Sequence, residues 1–154
     1  MSQGRRSWHP SLAFAAAAVL ALAVFTVAFA DDTETPVDCS EGAVPESTVS
    51  YLDDVQTVFD FNCVFCHQTG AENAGLNLEF GLSHERLVNV PSSESELPRI
   101  APGDPASSYL IHKVRGTHLT VGGGAGTRMP PSGPLPERDL ETLVAWVLQC
   151  APDN

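Results

Sequence analysis

The chain has 154 residues, 8 of them basic and 19 acidic, giving a formal charge of −11 and a pI near 4.6. One domain fits this length, and a basic nucleic-acid binder is excluded because no cationic surface exists to replace phosphate counterions. A hydrophobic share of 43% is that of a globule rather than a disordered acidic tail, while aromatics at 7% leave a core of aliphatics or of something that is not a side chain.

Residues 1–30 carry Arg5 and Arg6 and no acidic residue, then an apolar run from Leu12 that ends in Ala28-Phe29-Ala30. Basic start, apolar stretch and small-x-small ending predict a secretory signal peptide. The alternative is an uncleaved anchor, since 19 apolar positions just suffice to cross a bilayer. Removing these thirty residues takes two basic and no acidic residues, and the charge becomes −13. Such a chain repels anionic surfaces and favours a partner with a basic docking patch. Its place is the periplasm or another extracytoplasmic space, where disulfides are permitted. Membrane association is expected only if the segment stays uncleaved.

Residues 31–49 are a polar leader, held only if Cys39 is tied down. Leu52, Val55, Val58 and Phe59 recur at helical spacing and predict a helix over 52–61, with Asp53 and Asp54 in its first turn. Residues 68–82 read as an ordered loop, and Ser83 as the cap of a short helix over 84–89. After a connector over 91–103, Asp104-Pro105 signals a helix running to Arg115 with Gly116 as its stop. Residues 116–134 hold six glycines and three prolines and read as a long loop, slack around Gly122 to Gly126. Leu140, Leu143, Val144, Val147 and Leu148 form the stripe of a core-facing final helix.

Cys63-Val64-Phe65-Cys66-His67 is C-x-x-C-H, the attachment pattern of a c-type haem. Two thiols add to the two vinyl groups of one porphyrin, and a histidine next to the second thiol can reach the iron. A thioredoxin-like dithiol would want a βαβ context, and a zinc site would want further ligands. Met129, in Arg128-Met129-Pro130-Pro131, is the second axial ligand expected: its thioether suits haem iron, and the prolines favour an extended, stiff backbone. His84, His112 and His118 are its competitors, His118 foremost. Leu76, Leu78, Leu110, Leu143 and Trp146 are the expected haem wall. Cys39 and Cys150, left over in an exported chain, suggest a disulfide; two free or intermolecular thiols are the alternative.

With these residues the chain resembles a class I mono-haem cytochrome c, and more narrowly the small bacterial planctomycete-type cytochrome c-like modules. The likeness runs over about residues 50–152: Ser50 to Gln56, the haem motif, Leu76-Asn77-Leu78, Leu87 to Val90, Pro102-Gly103-Asp104-Pro105, Ser108-Tyr109-Leu110, Met129-Pro130-Pro131, and Leu143 to Val147. The resemblance implies an all-α fold around covalent haem c and a one-electron carrier rather than an enzyme. One departure stands out. Many members of the class place a proline soon after the motif, whose carbonyl accepts from the proximal imidazole; here the next proline is Pro91. Two other readings keep the haem: an open distal site serving a peroxidase or gas sensor, and a haem subunit of a larger oxidoreductase.

Overall fold

The computed structural model describes residues 35–40 and 48–154; the expected signal peptide lies outside the described residues. The described chain is helical, with two isolated β-bridges (Val88 to Ile100 and Pro91 to Pro98) in place of a sheet. A wide π-helical turn over Tyr51–Val55 runs into α1, Gln56–Asn62. Ser50 caps it by accepting from the Asp53 N–H. Then come α2 (Ser83–Leu87), α3 (Tyr109–Arg115) and α4 (Glu137–Leu148), with short 3₁₀ turns over Asn73–Gly75, Pro105–Ser107 and His118–Thr120.

α4 packs on the opening turn and on α3. Its inward residues Leu143, Val144, Trp146 and Val147 meet Val55, Phe59, Leu87, Ile100 and Ile111 in one core. Asn154 closes the fold through backbone and side chain: Leu52 N–H donates to its main-chain O, and Tyr51 N–H to its side-chain Oδ1. Among the described residues no helix is long and apolar enough to cross a membrane.

Three expectations need correction. Ser83 does not cap α2; it is fully buried, accepting from the Tyr51 hydroxyl and donating to Gln56 Oε1. A hydroxyl with two buried partners has no lone reason to serve a helix end. The expected helix from Asp104 to Arg115 is two pieces. Asp104 does cap, accepting from Ser107 N–H at 3.0 Å, but only the turn Pro105–Ser107 follows. Ser108 then takes an extended conformation because its hydroxyl is committed to Ala101 and Asp104. α3 ends as expected, at Gly116 in the left-handed region.

The third correction concerns the loop over 116–134, which is not slack. Gly122 O accepts from Glu96 N–H and Ser95 Oγ. Ala125 exchanges two hydrogen bonds with the Tyr109 hydroxyl. A Cβ at Gly124 would lie 1.8 Å from His118 O, so glycine serves close packing there rather than freedom.

Candidate haem site

α1 ends at Asn62, and the turn that follows keeps the helical direction: Cys63 N–H donates to Phe59 O, and His67 N–H to Cys63 O. This carries Cys63, Cys66 and His67 to one wall of a cavity of about 470 Å³. That volume falls in the ~300–1,000 Å³ range of ligand and cofactor pockets. Leu76, Leu78, Leu110 and Leu143 line it as expected. Trp146 does not. It is fully buried against Tyr51 and His84, with its Nε1–H on Pro152 O at 2.9 Å.

Burial pushes the Cys63 thiol up to about 12, with the charge of Asp139 adding to it. A dithiol oxidoreductase needs a depressed thiol pKa to supply thiolate, so this environment runs against that reading. Among the described residues no group of three or more His, Cys, Asp or Glu side chains is set to hold a metal ion.

His67 is 8% exposed, and burial lowers its pKa, which keeps the imidazole neutral and able to bind a metal. Its Nδ1 lies 3.3 Å from Leu76 O. With the proton on Nδ1, the ring donates to that carbonyl and leaves the Nε2 lone pair for iron. The acceptor missing from the proline position is thus supplied by the backbone nine residues on. The 67–78 segment holds it in place: Leu78 N–H returns to His67 O, and Asn73 Nδ2 donates to Cys66 O.

Met129 lines the same cavity. Its N–H donates to Lys113 O, and Arg128 donates from Nε and Nη2 to Val114 O, so the C-terminal end of α3 grips the segment. The Met129–Pro130 peptide is cis. The three histidine competitors lie off the cavity wall and are engaged elsewhere. His84 Nε2 donates to Ala151 O, His112 bonds Thr117 and Ala106, and His118 Nε2 donates to Gly126 O. Cys39 and Cys150 are joined, with 5.6 Å between their Cα atoms.

Two cations unforeseen in the sequence, Arg99 and Lys113, also line the cavity. Arg99 donates to the carbonyls of Arg86, Ala74 and Gly75, and Lys113 to Glu94. A haem carries two carboxylates, so an apolar cavity with two thiols, a neutral imidazole, a thioether and two cations on its wall fits that group.

A helical domain that gathers C-x-x-C-H and a methionine on one apolar cavity has the donor set that a haem-c site would use. The family model described as Planctomycete cytochrome C matches residues 63–133, from the first motif cysteine past Met129, and this segment is similar to that family. A domain of this family implies covalently bound haem c. No curated protein and no solved structure matches the chain.

Proposed function

We propose that this protein is an exported mono-haem c-type cytochrome that carries single electrons between protein partners in the periplasm or another extracytoplasmic space. The observation that carries this reading is the convergence of Cys63, Cys66, His67 and Met129 on one cavity from which His84, His112 and His118 are absent. Cys63 and Cys66 would hold the porphyrin as thioethers, with His67 and Met129 as axial ligands. A haem bound there supplies a one-electron ferric/ferrous couple, and methionine ligation raises its potential. The chain's part is to orient His67 through Leu76 O, to present Met129 from α3, and to wall off water with leucines.

Partners follow from surface chemistry. Phe61 and Phe65, on either side of Cys63, are 86% and 87% exposed. Asp60 precedes them, and Asp139 reaches Asn62 Nδ2 at 3.3 Å. An apolar pair among carboxylates on an acidic chain suits a redox protein whose docking patch is apolar with a basic rim.

The test is an optical spectrum, oxidised and reduced, of protein exported with a haem-attachment system, beside Met129→Ala. Covalent haem with a far-red methionine–iron band, lost in the variant, is the expected result. Covalent haem without that band, with rapid carbon monoxide binding to the reduced form, would favour the peroxidase or sensor reading. Absence of covalent haem would sink the proposal.

A further inference from the structure

Glycine-rich chain does not hold a ligand in place by its own stiffness. The segment that presents Met129 is held by α3 and by the turn around Glu94, and one residue belongs to most of the contacts. Lys113 is 7% exposed despite its charge. Its Nζ donates to Glu94 Oε2 at 2.9 Å and to Ala125 O at 3.2 Å, and lies 5.7 Å from the centre of the Tyr109 ring. Its carbonyl accepts the Met129 N–H at 3.0 Å. Gly126 fits against the pair so closely that a Cβ there would lie 2.7 Å from Glu94 Oε1 and 2.9 Å from Lys113 Nζ. From its own stretch of the loop, His118 Nε2 donates to Gly126 O at 3.1 Å. Three segments therefore meet on one ion pair: α3, the Glu94 turn and the methionine loop.

An ion pair with its lysine buried and its carboxylate partly exposed is a poor source of stability, because desolvation and solvent screening offset the attraction. What charge and directed hydrogen bonds add is one arrangement out of several. This arrangement fixes the backbone at Ala125, one residue before Gly126, and at Met129, three residues after it.

We propose that the Lys113–Glu94 pair is a latch on the methionine loop, and that both are positioning residues for the hold of Met129 on haem iron. The proposal rests on the reading of His67 and Met129 as the axial pair.

The test uses the full, exported, haem-loaded protein and the variants Glu94→Gln, Lys113→Met, Lys113→Arg and Gly126→Ala. The readouts are the far-red methionine–iron band of the oxidised form, carbon monoxide binding by the reduced form, and thermal melting. Glu94→Gln, Lys113→Met and Gly126→Ala are expected to lose more than half of the band and to gain carbon monoxide binding, while Lys113→Arg keeps the band. Glu94 is partly exposed and glutamine matches its shape, so that variant is expected to fold even if Lys113→Met does not. If the wild type shows the band and Glu94→Gln and Gly126→Ala keep it in full while only melting falls, the pair is a structural bond and the latch is overturned alone. If the wild type has covalent haem but no band, the axial reading fails and the latch falls with it.

Discussion

The Tyr51 hydroxyl heads a buried relay: it donates to Ser83 Oγ, Ser83 to Gln56 Oε1, and Gln56 Nε2 to Leu78 O on the cavity wall. Removing one member strands the next, at a cost of about 1 kcal/mol for Tyr51→Phe by denaturant titration at neutral pH. The relay also has a pH signature. Burial pushes the hydroxyl up to about 12 from its usual value of 10.0, with the charges of Asp153 and Asp60 adding to it. Between those values the unfolded tyrosine has lost its proton and the folded one has kept it. The native state then binds more protons, so stability falls as pH rises, by at most about 1.4 kcal/mol per unit, and is fully present below pH 10. Wild type should lose its advantage over Tyr51→Phe across that window; an unchanged difference would show that the hydroxyl is not buried. Residues of this kind were only partly legible in the sequence. C-x-x-C-H announced its own chemistry, whereas the acceptor for His67 is a backbone carbonyl, which no residue type marks. Lys113 had a weak signal: it stands three positions after Leu110 on α3, where an inward apolar residue is the usual occupant.

At the scale of elements, the segment before the first helix is tied to the end of the last. The Cys39–Cys150 bond spans 111 residues, and Val37 N–H donates to Gly103 O. Gly103 N–H in turn donates to Val147 O in α4. Closing a loop of that length stabilises by about 4–5 kcal/mol in the chain-entropy model, whose mechanism is disputed. Cys39→Ser should therefore lower the melting temperature and leave the visible spectrum unchanged, because the bond lies away from the cavity wall; two reactive thiols in the native wild type would refute the bond. Gly103 gives a second handle. It sits at φ +77°, and a Cβ would fall 2.3 Å from Val37 O and 2.7 Å from Cys39 Sγ. Those atoms are backbone and disulfide and cannot swing aside, so Gly103→Ala should cost roughly 2 kcal/mol by the same titration. In a Cys39→Ser background the cost should shrink, since the segment is then free to move. Periodicity predicted α4 and the helical course of 52–61, though that stretch is a π-helical turn running into α1 with Leu52 exposed, and Gly116 marked the end of α3. It missed the break at Ser108 and the pinning of Gly122 to Gly126, because both depend on partners distant in sequence and not on local pattern.

For the whole molecule, charge is the property that acts at longest range. After removal of residues 1–30 the chain would carry −13. Phe61 and Phe65, the exposed apolar pair proposed for docking, flank Cys63 in sequence, with Asp60 next to Phe61 and Asp139 bonded to Asn62. Screening lengths shrink from ~30 Å at 0.01 M salt to ~10 Å at 0.1 M, so steering by this field weakens within an easily reached range. Electron transfer to a cationic one-electron reagent, such as a hexaammine complex or a small basic redox protein, should slow steeply as salt is added. Transfer to an anionic reagent such as ferricyanide should speed up, because salt relieves repulsion. Phe61→Ser with Phe65→Ser should leave both salt slopes in place, since charge is untouched, while lowering the rate with the basic protein at high salt, where apolar contact is what remains. Equal rates with reagents of both signs at low salt would mean that electrons leave through a part of the surface that the acidic field does not reach.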